Sequence, residues 1–140
     1  MKLNPNKVCV LVVEDDDSVR ETMKLVLESE DYEVHIAEDG SKAVSMLNIG
    51  VIPDIVITDL MMPHMTGWEL VDTMRSTSRL KTIPVIVYSG VAHYASGSKT
   101  LSGAYFLRKP VELDILFKTI KTALTDGFDY TLCDDHIKGL

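Results

Sequence analysis

Val8-Cys9-Val10-Leu11-Val12-Val13 runs directly into Glu14-Asp15-Asp16-Asp17. Six apolar residues without polar alternation describe a strand buried on both faces, as in a parallel sheet covered by helices. The four acidic residues end the strand and lead into a helix. Asp17 or Ser18 is its expected N-cap, and Val19, Met23, Val26 and Leu27 fall on one face. The strand therefore delivers carboxylates to one rim of whatever sheet it joins.

The same unit recurs along the chain. Glu33 to Ala37 reads as a second strand, Asp39-Gly40 as a turn, and Ser41 as the cap of a short helix carrying Ala43, Val44 and Leu47. Ile49 to Pro53 breaks that helix. Asp54 to Thr58 is a third strand ending at Asp59, followed by a loop from Leu60 to Gly67 and a helix from Trp68 to Ser76. Pro84 to Tyr88 is the fourth strand, closed by Ser89-Gly90, and Tyr105 to Arg108 the fifth, closed by Lys109-Pro110. Val111 to Leu124 gives a last helix with Leu113, Leu116, Ile120 and Leu124 on one face. Between the fourth and fifth strands, Ala92 to Ser102 contains Gly97 and three serines, which predicts a short or frayed helix.

Apolar strands alternating with amphipathic stretches predict an α/β domain with right-handed crossovers. The expected architecture is a flavodoxin-like (βα)5 fold, a doubly wound five-stranded parallel sheet of order 2-1-3-4-5. It occupies residues 1-125, and 126-140 form a short C-terminal tail. A chain of 140 residues fits one domain.

Composition narrows the function classes. A net charge of −7 with scattered Lys and Arg argues against direct nucleic-acid binding, which needs a clustered basic surface. No apolar run reaches bilayer length, so no membrane association is expected. Met1 to Asn6 lack the apolar core of a signal peptide, which places the protein in the cytoplasm. Cys9 lies in a strand and Cys133 in the tail, a pairing that suggests reduced thiols. His35, His64, His93 and His136 show no metal-ligand spacing with each other or with cysteine.

Open α/β sheets bind ligands beyond the carboxyl ends of their strands, at the switch point between strands one and three. At those ends stand Glu14, Asp15 and Asp16 on strand one, Asp59 on strand three, Ser89 on strand four and Lys109 on strand five. Crowded carboxylates call for a cation, and hard oxygen donors suit Mg²⁺. Lys109 supplies a positive point where an anion can dock. An aspartate beside a metal and a lysine is equipped to attack phosphorus.

From about Lys7 to Leu124 the chain resembles the receiver domains of two-component response regulators. The matching pieces are Val10 to Asp16, Ala37-Glu38-Asp39-Gly40, Asp59 to Gly67, Tyr88-Ser89-Gly90 and Leu107-Arg108-Lys109-Pro110. Each is weak alone; their order and spacing together are specific.

The resemblance implies that Asp59 is the phosphoacceptor. Glu14 and Asp15 would hold Mg²⁺, with Asp15 a direct ligand and Glu14 acting directly or through water, and the Met61 backbone carbonyl would join the shell. Ser89 and Lys109 would each contact a phosphoryl oxygen, Gly90 would leave the phosphate room, and Lys109-Pro110 would be cis. Phe106 falls at the aromatic switch position, though an aromatic in a strand reads equally well as static core. Asp16 and Asp17 are assigned to helix N-terminal charge instead of metal. Trp68 and the methionines from Met61 to Met65 are assigned to packing, and Met23 and Met74 to the core.

Four departures from the usual pattern stand out: Glu14 replaces the more frequent Asp, Phe106 lacks the hydroxyl of the commoner Tyr, Thr66 occupies a loop position without evident consequence, and the segment from Gly90 to Ser102 is shorter than usual and helix-poor, which bears on the family's usual output face. By the same resemblance, the side chains that flank the hydrolytic water are Met61 and Val91. Both are apolar, which implies a long-lived phosphoryl state.

The expected partners are a sensor histidine kinase or a histidine phosphotransfer protein, together with an output protein. A stand-alone receiver is the expectation, because no output domain follows Thr125. Two readings compete with this one. A phosphorylation-independent interaction module would keep the fold without the chemistry. An aspartate-nucleophile phosphatase would carry a second aspartate where Met61 stands, which argues against it.

Overall fold

The computed structural model describes residues 5–90, 100 and 103–126. The helix expected within 92–102 and the tail beyond Asp126 lie outside the described residues. Within them the order is β1 (Cys9–Val13), α1 (Asp17–Ser29), β2 (Glu33–Ala37), α2 (Gly40–Asn48), β3 (Ile55–Asp59), α3 (Gly67–Arg75), β4 (Val85–Ser89), β5 (Tyr105–Arg108) and α4 (Leu113–Asp126). The strands form one parallel sheet of order β2-β1-β3-β4-β5, as the alternation of patterns predicts.

The unbroken apolar character of the strands follows from two cores, one on each face of the sheet. Leu11, Val13, Val56, Val85 and Val87 meet Ala43 and Leu47 of α2 and Leu70, Val71 and Met74 of α3 on one side. Val10, Val12, Ile55, Ile57, Ile86 and Leu107 meet Met23 and Leu27 of α1 and Leu116, Ile120 and Ala123 of α4 on the other. Met23 and Met74 are core residues, as expected.

Helix starts differ from the sequence reading. The cap of α1 is Asp16, not Asp17 or Ser18: it is extended, and its side chain accepts from the Val19 amide at 3.0 Å. Asp39, not Ser41, caps α2 by accepting from the Lys42 amide at 2.8 Å. In each case the cap is the last extended residue before the helix, one or two places earlier than expected. Thr66 is the N-cap of α3 and forms a capping box with Glu69, so it has a structural role. The last helix begins at Leu113 instead of Val111, and Leu113 itself is exposed, so the buried stripe starts at Leu116. Asp59 and Ser89 lie inside β3 and β4, because the ladder extends to them through Asp59–Tyr88 and Ser89–Arg108 pairing.

No helix among the described residues is long and apolar enough to cross a membrane.

Candidate functional site

Strand alternation decides which side chains share the rim. Successive residues of a strand point to opposite faces. Val10 and Val12 of β1, Ile55 and Ile57 of β3, and Ile86 of β4 pack on the α1/α4 side. Glu14, Asp59 and Tyr88 continue those rows, and Lys109 continues the row of Tyr105 and Leu107 on β5. The sheet order sets β1, β3, β4 and β5 side by side, so four polar side chains far apart in sequence end on one patch.

The resulting distances are short. Carboxylate oxygens of Glu14, Asp15 and Asp59 lie within 4.8 Å of one another. Lys109 Nζ stands 3.3 Å from Asp59 Oδ1, and the Met61 amide donates to the same oxygen at 3.4 Å. Glu14 and Asp59 are buried, whereas Asp15 is exposed and opens the crevice to solvent.

Glu14 is held at every polar atom. Its backbone amide donates to the Ala37 carbonyl at 3.0 Å, and its carbonyl accepts from Arg20 Nη1 at 2.9 Å. The Asp16 amide donates to Oε2 at 3.0 Å, and the Tyr88 hydroxyl donates to Oε1 at 2.6 Å. Burial pushes the Glu14 carboxyl above its ordinary value of 4.5; the Tyr88 and Asp16 bonds pull it down, and the Asp59 charge adds to the rise. Burial likewise raises the Tyr88 phenol, reinforced by its bond to Glu14, so Tyr88 remains a proton donor at neutral pH.

The loop after Asp59 is shaped by Gly67. A Cβ there would stand 2.7 Å from the Asp59 carbonyl oxygen and 3.0 Å from Leu60 Cα, both backbone atoms that cannot yield. With glycine, the Gly67 amide donates to the Leu60 carbonyl at 2.8 Å and folds the loop back under the acidic residue. The peptide between Lys109 and Pro110 is cis, as expected.

Three carboxylates and one ammonium leave an excess of negative charge. Oxygen-only donors at this spacing fit a hard divalent cation. The site is therefore chemically suited to holding a metal beside a carboxylate and a lysine.

Residues 10–121 match the family model described as the response regulator receiver domain. The chain belongs to the response-regulator receiver family. This receiver is 37% identical over 148 residues to a 3',5'-cyclic-nucleotide phosphodiesterase, regA, of Dictyostelium discoideum, covering 97% of this chain and 19% of that protein. It is 36% identical over 106 residues to the two-component response regulator ORR6 of Oryza sativa subsp. japonica, covering 73% of this chain and 62% of that one. It thus spans less than two thirds of either relative. Among solved structures, the chemotaxis response regulator CheY4 of Vibrio cholerae superposes with a TM-score of 0.73 at 30% identity, covering 84% of this chain and 98% of that one.

The remaining expected residues lie in or just after β3, β4 and β5. Ser89 is buried at the end of β4, in the row of Val85 and Val87 on the α2/α3 side, and its carbonyl accepts from the Lys109 amide at 2.8 Å. Phe106 pairs in register with Val87 and is fully buried. Among the described residues, a Cβ on Gly90 would meet nothing within 4 Å. Met61 is 64% exposed beside Asp59. Val91 lies outside the described residues.

Two features escaped the sequence reading. Tyr88, placed by the sequence in the fourth strand and in the Tyr88-Ser89-Gly90 piece with no role of its own, touches Glu14 through its hydroxyl and the Lys109 ammonium through its ring, whose centroid is 5.2 Å from Nζ. Cys9 and His35, given no mutual ligand spacing by the sequence, are joined by the sheet: Cys9 pairs with Glu33, and Cys9, Glu33 and His35 bring donor atoms within 4.8 Å. There His35 Nε2 and Glu33 Oε2 already meet at 2.9 Å, and Cys9 is buried.

Proposed function

We propose that this receiver is a phosphoacceptor in a two-component phosphorelay, with Asp59 accepting the phosphoryl group in a Mg²⁺-dependent transfer. The observation that carries the reading is the convergence of Glu14, Asp15 and Asp59 within 4.8 Å, with Lys109 Nζ 3.3 Å from Asp59. Bound Mg²⁺ would withdraw charge from the phosphoryl oxygens during transfer.

The chain's own residues do the rest. Glu14, Asp15, Asp59 and the Met61 carbonyl would hold the cation. An Asp59 carboxylate oxygen attacks phosphorus of a phosphohistidine on a sensor histidine kinase or a histidine phosphotransfer protein. The P–O bond to Asp59 forms as the P–N bond to the donor imidazole breaks. Lys109 exchanges its contact with Asp59 for one with a phosphoryl oxygen, and Ser89 donates its hydroxyl to another. Movement of Ser89 then repacks Phe106 and biases a pre-existing pair of conformations, which switches binding of an output protein in the cytoplasm. The functional unit is residues 1-125.

Self-dephosphorylation is slow in this reading. Water attacking the acyl phosphate needs a polar side chain to orient it, and Met61 at the mouth of the site has none. The phosphoryl group should therefore persist well beyond seconds at neutral pH.

Treatment with a small-molecule acyl phosphate tests the assignment. The mass should rise by one phosphoryl group with Mg²⁺, and not with a chelator or in Asp59→Asn. A mass gain that survives Asp59→Asn overturns it.

A further inference from the structure

We propose that Tyr88 is a positioning residue of the acidic centre, fixing the Glu14 carboxylate for the cation and supporting the Lys109 ammonium. This deepens the phosphoacceptor reading and rests on it.

The argument begins with the length of Glu14. Its side chain has one more methylene than Asp, hence one more torsion to immobilise before it can serve a metal. In this chain that torsion is fixed by two donors on opposite oxygens: the Asp16 amide at 3.0 Å and the Tyr88 hydroxyl at 2.6 Å. The first is local to the turn. The second reaches across the sheet from β4, where Tyr88 is the register partner of Asp59.

Tyr88 is suited to the task because it cannot itself move. Its ring is packed in the α1/α4 core and its residue is 1% exposed, so the hydroxyl is delivered to a fixed point. Each Glu14 oxygen keeps a second acceptor site, so the carboxylate can take a cation or a bridging water without breaking either bond.

The same ring faces the other half of the site. Lys109 Nζ lies 5.2 Å from its centroid, within cation–π range, while also 3.3 Å from Asp59. One side chain thus contacts the metal-holding carboxylate and the phosphate-facing ammonium on either side of the phosphoacceptor. Tyr88 touches neither reacting atom, so its effect passes through Glu14 and Lys109.

Mg²⁺ titration calorimetry of the full chain tests this, with Tyr88→Phe, Glu14→Gln and the double variant compared with the wild type. Tyr88→Phe should fold with an unchanged circular-dichroism spectrum and weaken Mg²⁺ binding about tenfold or more, the weight of one hydrogen bond to a charged group. In the Glu14→Gln background it should add less than about twofold, because the residue through which it acts has lost its charge. Wild-type affinity in Tyr88→Phe, or full additivity in the double variant, overturns the role.

Because Tyr88 lies in the core, the wild type provides a second measurement. Its hydroxyl proton should give a slowly exchanging downfield NMR resonance that shifts with Mg²⁺ at the calorimetric midpoint. A resonance indifferent to Mg²⁺ overturns the role even if Tyr88→Phe does not fold. Failure of the wild type to bind Mg²⁺ removes the phosphoacceptor reading together with this extension. Wild-type binding with an unaffected Tyr88→Phe removes the extension alone.

Discussion

At the carboxyl rim of the sheet, three carboxylates share a crevice with Lys109; on the β1–β2 side, Glu33 and His35 meet beside Cys9. Both groups contain good metal donors at similar spacing, and they differ in charge balance. His35 Nε2 meets Glu33 Oε2 at 2.9 Å, and the Cys9 thiol beside them is buried. Glu14 and Asp59 are buried acidic groups close to one another, a crowding that a bound cation relieves. Proximity of donors is therefore a poor guide to a site. Uncompensated buried charge is a better one.

The contrast predicts its largest effect for Mg²⁺. At a hundredfold excess over its dissociation constant, Mg²⁺ should stabilise the wild type by about 2.7 kcal/mol, or about 8 °C in Tm for a domain of this size. Asp15→Asn should lose most of that increment in a thermal melt, and His35→Gln should keep it. An equal response in both variants would erase the distinction between the clusters.

Next in size is the cost of breaking the balanced pair. His35→Ala leaves the Glu33 side chain, 9% exposed, without its imidazole partner. Urea unfolding should show a loss of about 1–3 kcal/mol, with the Mg²⁺ response intact.

A pH series sharpens the comparison further. The metal-free folded state raises the Glu14 carboxyl above 4.5, by burial first and with the Asp59 charge adding to it. A raised acid binds its proton more tightly in the folded state, so its contribution favours folding below 4.5 and is lost as pH climbs through the raised midpoint. Metal-free Glu14→Gln, whose amide oxygen can still accept from Tyr88, should lose this downward slope between pH 4.5 and neutrality. If its stability curve parallels the wild type's, Glu14 carries no such strain.

The smallest effect belongs to Cys9. Cys9→Ala should cost about 1–2 kcal/mol as a core truncation and alter neither the Mg²⁺ titration nor phosphoryl incorporation.

These clusters also show what a linear sequence discloses. The strands were legible because burial on both faces leaves continuous apolar runs, and strand ends could be read as punctuation. Their order came from the common five-stranded doubly wound pattern, which brought Glu14, Asp15, Asp59 and Lys109 to one rim before any coordinates. The caps at Asp16 and Asp39 were displaced by one or two residues, because a cap is defined by which residue is last extended, and acidic or hydroxyl neighbours offer equivalent side chains. The role of Tyr88 was hidden for another reason. Its partner is 74 residues away in sequence, and an aromatic in a strand ordinarily signals packing. Cross-strand register similarly created the Cys9–Glu33–His35 group, which no spacing motif announces. A signal did exist for Tyr88: a hydroxyl in a buried strand, one residue before Ser89 at the rim, has to find a partner.

The account rests on Asp59 forming an acyl phosphate beside a cation. Borohydride reduction after acyl-phosphate treatment, followed by peptide mass mapping, tests this at the residue itself, since an aspartyl phosphate is reduced to homoserine. The account predicts homoserine at position 59 in the Mg²⁺-treated sample and unaltered aspartate in the chelated one. Homoserine at another acidic position, or at 59 in equal amount without Mg²⁺, would contradict it.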